Sequence, residues 1–309
     1  MTSRNALAAK RSRLALRSRI LHGMRHFFVE RGFLEVQTPV RTPAPAPEDH
    51  IDAMHSEEWY LQTSPELYMK RLLAAGYDKI FQICPVFRKG ERGRRHHPEF
   101  TLLEWYRRGE GTEALMQDCQ ELLQHVCRFV DRFPQFSYAG QVLSVFPPWD
   151  RWTVRTAFQK WAGWDPLTAY ESSRFSEDLV TRVEPHLGFP RPAFLCDYPP
   201  QEAALARLSP RGGLQVADRF ELYWAGVELA NGFSELTDRE EQERRFRETL
   251  ARRRQDGRNV YPWPHRFLES LDFLDAAAGI ALGVDRLVML LSDAPTLDDV
   301  VAFSPDHEP

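Results

Sequence analysis

Apolar residues recur along 11–31 at Leu14, Leu21, Met24 and Phe28. Those spacings put them on one stripe of a helix, with Arg13, Arg17, Arg19 and Arg25 largely off it. Gly32 stands at the C-cap, and "FLEVQTPV" predicts a short strand ended by Pro39, before the stiff, proline-rich "RTPAPAPEDH". "WYLQTSPELYMKRLLAAGY" predicts a strand and then a helix, with Ser64 as N-cap, Pro65 at the first helical position and Glu66 in the first turn. "KIFQICPVFR" and "EFTLLEWYR" predict two antiparallel strands joined by a loop, and a helix follows over roughly 112–131. After short mixed elements to about residue 217, "DRFELYWAGVELANGF" predicts a hairpin around Ala225-Gly226. "TDREEQERRFRETLARRRQDG" predicts a charged helix whose simplest role is a solvated face with i,i+4 pairs. "GIALGVDRLVMLL" closes the pattern as strand, glycine turn and buried helix. Strands paired through short loops with helices between them predict an α+β fold on an antiparallel sheet. No G-x-G-x-x-G or Walker loop supports a parallel nucleotide fold.

Composition adds a sizeable core: of 309 residues, 43% are hydrophobic, including 20 Phe and 8 Trp. Forty basic side chains face 44 acidic ones, a net charge of -4, which argues against a broad nucleic-acid surface. Cys84, Cys119, Cys127 and Cys196 form no C-x-x-C pair and predict buried free thiols in a reducing cytosol. The N-terminus carries no apolar signal region, residues 1–10 are expected to be a flexible segment, and no run of about 20 apolar residues predicts a membrane span.

Against that acidic balance, the loop after Arg88 concentrates Lys89, Arg92, Arg94, Arg95, His96 and His97. A solvated basic hairpin is one reading; a grip on phosphate oxygens by Arg88 is the other. Alternation over 99–107 puts Phe100, Leu102, Glu104 and Tyr106 on one face. Glu104 among apolar neighbours needs a partner, either a core arginine or a ligand cation. In the hairpin, Glu221, Tyr223, Glu228 and Ala230 are expected to share a face, where two carboxylates repel unless a cation such as a divalent metal on phosphate lies between them. Arg286, charged among apolar residues, and Phe100 can sandwich a flat base such as adenine. Adjacent His96 and His97 point to opposite sides and make no paired metal site.

These segments resemble a known family. "FRKGERGRRHHPEFTLLEWYR" and "GIALGVDRL" are similar to motifs 2 and 3 of class II aminoacyl-tRNA synthetases, and the opening helix with "GFLEVQTPV" is similar to motif 1, their dimer-forming element. "TSPELYMKRLL" and "ELANGFSEL" resemble the lysyl-tRNA synthetases within the class. Motif 1 begins within the first dozen residues, which leaves no room for an anticodon-binding OB domain. The chain therefore resembles the stand-alone paralogues that activate (R)-β-lysine and attach it to a lysine of translation elongation factor P.

That resemblance implies one catalytic domain over 1–309, ATP and Mg2+, a homodimer, a cytoplasmic location and no stable tRNA binding. It implies catalytic roles for Arg88 and Arg286. ATP contacts would come from Arg88, Lys89, Gly90, Arg95, His96, His97, Phe100, Glu221, Leu222, Gly283 and Arg286, and metal ligation from Glu221 and Glu228. Ser64, Pro65, Glu66, Glu104, Tyr106, Glu228, Asn231, Glu235 and Ala281 would form the amino-acid pocket. Ala281 replaces a glycine usual in the synthetases, and its methyl group would reshape the pocket floor toward a β-amino group. A short synthetase that charges tRNA with α-lysine, or a non-catalytic paralogue, are the alternatives.

Overall fold

The computed structural model describes residues 3–306. Nine strands among them build the main sheet: β1 (Leu34–Glu35), β2 (Lys79–Phe87), β3 (Glu99–Arg108), β4 (Asp150–Thr153), β5 (Ala193–Tyr198), β6 (Leu208–Arg211), β7 (Leu214–Trp224), β8 (Val227–Ser234) and β9 (Ala277–Gly283). Their order is β1-β2-β3-β9-β8-β7-β5-β4, with β6 added beside β7. The pairings are antiparallel apart from the two outer ones, β1 with β2 and β4 with β5. This is the expected α+β sheet.

The helices are α1 (Ser3–Ala9), α2 (Arg11–Glu30), α3 (Glu66–Ala74), α4 (Thr112–Phe129), α5 (Val154–Trp161), α6 (Ser172–Asp178), α7 (Arg239–Gln255), α8 (His265–Ser270) and α9 (Val284–Leu291). The alternation of each strand sorts them into layers. Leu103, Trp105, Leu222, Ile280 and Leu282 point to one face, where α2, α4 and α9 cover them in the principal core. On the other face, Tyr106 joins Leu67, Met69 and Leu73 of α3 and Phe267 and Leu268 of α8 in a smaller cluster. Glu104 and the Tyr106 hydroxyl of β3 share that second face, whereas Thr101 and Arg107 turn to the first, so the site lies between the sheet and this thinner layer.

Several details differ from the sequence expectations. Ser3–Ala9 is helical where a flexible segment was expected; Met1 and Thr2 lie outside the described residues. Arg17 does not stay off the buried stripe: it pairs with Asp285 of α9 and donates to Thr101. The strand expected over "FLEVQTPV" shortens to Leu34–Glu35. The α3 helix starts one residue late, with Pro65 in the cap position, while the Ser64 hydroxyl accepts the Glu66 N–H at 3.0 Å. In the β7–β8 hairpin, Trp224 opposes Val227 and Tyr223 opposes Glu228 as expected, but Leu222 then opposes Ala230. Leu229 is the extra residue of a bulge, which turns Ala230 onto the Leu222 side and brings Asn231 opposite Glu221.

Candidate active site

Strand register lays out the site. Glu104 on β3 pairs with Ala281 on β9, Ala281 with Asn231 on β8, and Asn231 with Glu221 on β7, one row across four strands. A cavity of about 250 Å³ opens over the first three of these residues. Arg88, Arg95, His96, His97, Phe100 and Arg286 form its basic end, with Gly283 at the turn into α9. Ser64, Glu66, Glu104, Tyr106, Glu228 and Asn231 form the acidic and polar remainder, with Ala281 on the floor.

The Arg88 guanidinium is the least satisfied group at the basic end. Its Nε is buried without a hydrogen-bond partner, Glu91 stands 3.8 Å from Nη1, and the Phe100 ring centroid lies 5.1 Å from Cζ. A half-buried, under-bonded guanidinium beside an aromatic ring fits a phosphate ester carrying a flat base. Arg286 is already oriented: Nη1 donates to the Glu228 carbonyl at 2.8 Å and to its carboxylate at 3.1 Å, and Nη2 lies 2.8 Å from His96 Nε2. Burial and the neighbouring Arg286 hold the His96 imidazole below its ordinary pKa, so it faces Arg286 neutral.

The basic loop is pinned by the end of the chain, in contrast to a mobile flap. His97, although it touches the cavity, is buried against Asp298 at 2.8 Å, and Arg92 reaches both Asp298 and Asp306. Lys89 and Gly90 are exposed at the turn, outside the cavity wall, with Gly90 at φ +81°. That conformation explains a glycine there.

At the acidic end, Glu104 accepts from the Ser64 hydroxyl at 2.6 Å and the Tyr106 hydroxyl at 2.9 Å. Burial, with Glu66 adding to it, pushes Glu104 up to about 8, which marks a carboxyl short of positive charge. Pro65 and Glu235 stand behind the wall. Glu235 is buried, and a Cβ on Gly279 would come within 2.4 Å of its Oε1 and 2.1 Å of the Tyr106 ring, so only glycine keeps that floor open.

Glu221 and Leu222 do not reach the cavity. Leu222 packs into the principal core, and Leu229 of the bulge lines the wall where Leu222 was expected near a nucleotide. Glu221 takes hydrogen bonds from Arg219 at 2.6 Å and from the Tyr198 and Tyr223 hydroxyls at 2.5 Å each; burial and Glu228 raise its pKa. No cluster of three or more His, Cys, Asp or Glu among the described residues has a metal-holding arrangement. Glu228, which does face the cavity, with Glu221 behind it, is the carboxylate that would suit a hard cation such as magnesium.

Sequence reasoning missed four features. Glu48 of the proline-rich loop lines the cavity, and burial pushes it up to about 7 even with Arg88 nearby. Arg253 of the charged helix is not on a solvated face. It is buried and donates to the Glu48 and Ile51 carbonyls and to Asp52, holding that loop in place. Lys70 is fully buried among the acids. Asp298, far along the chain, holds His97. The single visible signal was the arginine run 252–254 at a helix end.

Comparison with known proteins agrees with this geometry. The model of class II tRNA synthetases (D, K and N) matches residues 5–307. An "Elongation factor P--(R)-beta-lysine ligase" of Histophilus somni is 39% identical over 324 residues, 95% of each chain. Proteins of the same name from Erwinia tasmaniensis (39% over 316 residues, 97% of each) and Vibrio atlanticus (40% over 316, 96% of each) are similarly close. With motifs 2 and 3 delivering β3 and β9 to one cavity and the family match spanning almost the whole length, the chain belongs to the class II tRNA synthetases of the D, K and N group.

Proposed function

We propose that this chain is an ATP-dependent ligase that activates (R)-β-lysine as its adenylate and transfers it to a lysine side chain of elongation factor P, the reaction its relatives are named for. One observation carries the reading: a single cavity with an under-bonded guanidinium at one end and acids around Glu104 at the other. The substrate carboxylate attacks the α-phosphorus, the bond to pyrophosphate breaks, and Arg88 stabilises the charge that develops. Arg286 and Phe100 hold the adenine, with Gly283 letting the backbone approach. Glu66, Glu104, Tyr106, Asn231 and Glu235 compensate and orient the ammonium groups. Glu228, with Glu221 behind it, would hold a magnesium ion, and that ion would supply positive charge to the triphosphate. In the second step a neutral lysine amine attacks the acyl carbonyl, the bond to the phosphate oxygen breaks, AMP departs, and an amide forms.

The reading extends to a homodimer through α2, a single catalytic domain, a cytoplasmic location and no stable tRNA complex. No helix among the described residues is long and apolar enough to cross a membrane. The test is ATP–pyrophosphate exchange with each lysine isomer, followed by mass spectrometry of elongation factor P incubated with ATP and the preferred isomer. Stronger exchange with β-lysine and one added lysyl mass on the factor support the reading. Preference for α-lysine with charging of tRNA would replace it with a short synthetase, and no exchange at all with a silent paralogue. Single-turnover transfer is expected to quicken between pH 6 and 9 as the acceptor amine loses its proton; a flat profile counts against amine attack as the slow step.

A further inference from the structure

The pocket read as a diamine site already contains an ammonium. Lys70 has no exposed surface, and its Nζ stands 2.5 Å from Glu66 Oε1 and 2.5 Å from Glu235 Oε2. The two acids reach it from separate elements: Glu66 lies one turn earlier on α3, and Glu235 directly follows β8. The Phe267 ring, 6.0 Å away, covers another side. Burying an ammonium is costly unless it is paired. Here burial works to lower the Lys70 pKa, and Glu235 and Glu66 outweigh it, so the group stays charged.

A buried ammonium has three donors to satisfy, and Lys70 directs two of them at Glu66, which lines the cavity, and Glu235, which stands directly behind its wall. The count of charges gives it another task. Glu66, Glu104 and Glu235 carry three negative charges when ionised, and Lys70 cancels one. Two remain, the number of ammonium groups on a diamino acid. Glu104 is held by hydroxyl donors, and Glu235 Oε1 is buried with no hydrogen-bond donor. Both still have capacity for a cation.

We infer that Lys70 is a positioning and specificity-determining residue for the amino acid: a resident cation that fixes Glu66 and Glu235 in one arrangement and sets the pocket's charge to match two ammonium groups. The inference rests on the proposed function, since it takes the acidic end as the diamine site. The ionisable groups around it are Glu66 on α3, Glu104 and Tyr106 on β3, Glu235 after β8, and Glu48 and Arg88 further along the cavity. Burial raises Glu104 to about 8 and raises Glu235 as well, and Lys70 pulls Glu235 back down. Binding two ammonium groups therefore expels protons, and the amino-acid KM falls as pH rises from 6 to 8.5. Without the Lys70 charge, the midpoint of that fall moves up.

The test is amino-acid-dependent ATP–pyrophosphate exchange by the full chain, at a series of pH values, with α- and β-lysine. Lys70→Met is expected to raise the amino-acid KM at pH 7 by tenfold or more, shift its pH midpoint upward by about one unit, and leave the ATP KM within twofold. Lys70→Arg keeps the charge in a different shape: its midpoint stays, while the amino-acid KM rises fivefold or more. This second variant carries the test if Lys70→Met does not fold. Equal rises in both KM values mark a merely structural lysine and overturn the inference alone, as does an unchanged amino-acid KM or midpoint in Lys70→Met, or an unchanged amino-acid KM in Lys70→Arg. A wild-type chain that exchanges with neither isomer overturns the proposed function and this inference together.

Discussion

At the scale of single residues, what distinguishes the two ends of the cavity is how fully each charge is already answered. Arg286 is oriented by Glu228 and the His96 ring, whereas the Arg88 Nε finds no acceptor and Glu91 stays at 3.8 Å. A guanidinium held this way is preorganised for charge that appears only when a pentavalent phosphorus forms. Arg88→Ala is expected to slow pyrophosphate exchange by about 10²–10³-fold, close to the loss seen when one oxyanion donor is removed. Arg88→Lys recovers little of it, because a point charge cannot reproduce the planar fork. Steady-state kinetics check this: a loss confined to the ATP KM would make Arg88 a ground-state binder only. The same comparison shows how far single residues were legible. Alternation along 99–107 was enough to place Phe100, Glu104 and Tyr106 on one face, because a strand's period of two is strict. Lys70 had no such signal: on a helix it was one polar residue among several, and its second partner comes from beyond β8.

At the scale of elements, the charged helix α7 illustrates what a pattern conceals. Its surface does carry the i,i+4 pairs its sequence promised, such as Arg247 with Glu243, and pairs of that kind contribute little. Arg253 differs. With 1% of its surface exposed, it donates to the Glu48 and Ile51 carbonyls at 2.7 and 3.0 Å, to Asp52 at 2.6 Å and to the Tyr261 hydroxyl at 2.9 Å. The Asp52 carbonyl in turn accepts the Lys89 N–H at 2.7 Å, so the clamp links α7, the proline-rich loop and the turn after β2. Arg253→Met is expected to destabilise the chain by about 1–3 kcal/mol, since it removes the donor shared by the Glu48, Ile51 and Asn259 carbonyls, while half-buried Asp52 keeps Arg258. Urea denaturation measures this, and limited proteolysis is expected to cut first within 48–53. A loss comparable to that of Arg247→Met would show that the loop holds itself. Nothing in the helical periodicity could single out Arg253, because three of its acceptors, the Glu48 and Ile51 carbonyls and Asp52, belong to a loop some 200 positions away. The Leu229 bulge was hidden for a related reason: it appears only when β7 and β8 are paired.

At the scale of the whole molecule, the acids gathered for the site put a cost on the empty fold that depends on pH. Burial raises Glu104 to about 8 and Glu48 to about 7 from an ordinary value of 4.5, and Glu184, beside Glu221 and Glu228, to about 7 as well. Between those values the folded chain binds more protons than the unfolded chain, so stability falls as pH rises through the window. This is the reverse of the usual carboxylate effect, where salt-bridged acids lose stability as pH drops. The empty protein is therefore expected to melt at progressively lower temperature between pH 5.5 and 8.5. Saturating lysine places an ammonium against Glu104, favours its ionised form and flattens that slope, so the stabilisation by ligand is larger at pH 8 than at pH 6. Glu104→Gln removes one contributor, which makes the slope of the empty protein shallower and weakens the response to lysine. Differential scanning fluorimetry at constant ionic strength follows both. A melting temperature of the empty chain that rises from pH 6 to 8 would mean these carboxyls are already ionised without ligand, and that the cavity's acid end is balanced by cations of its own.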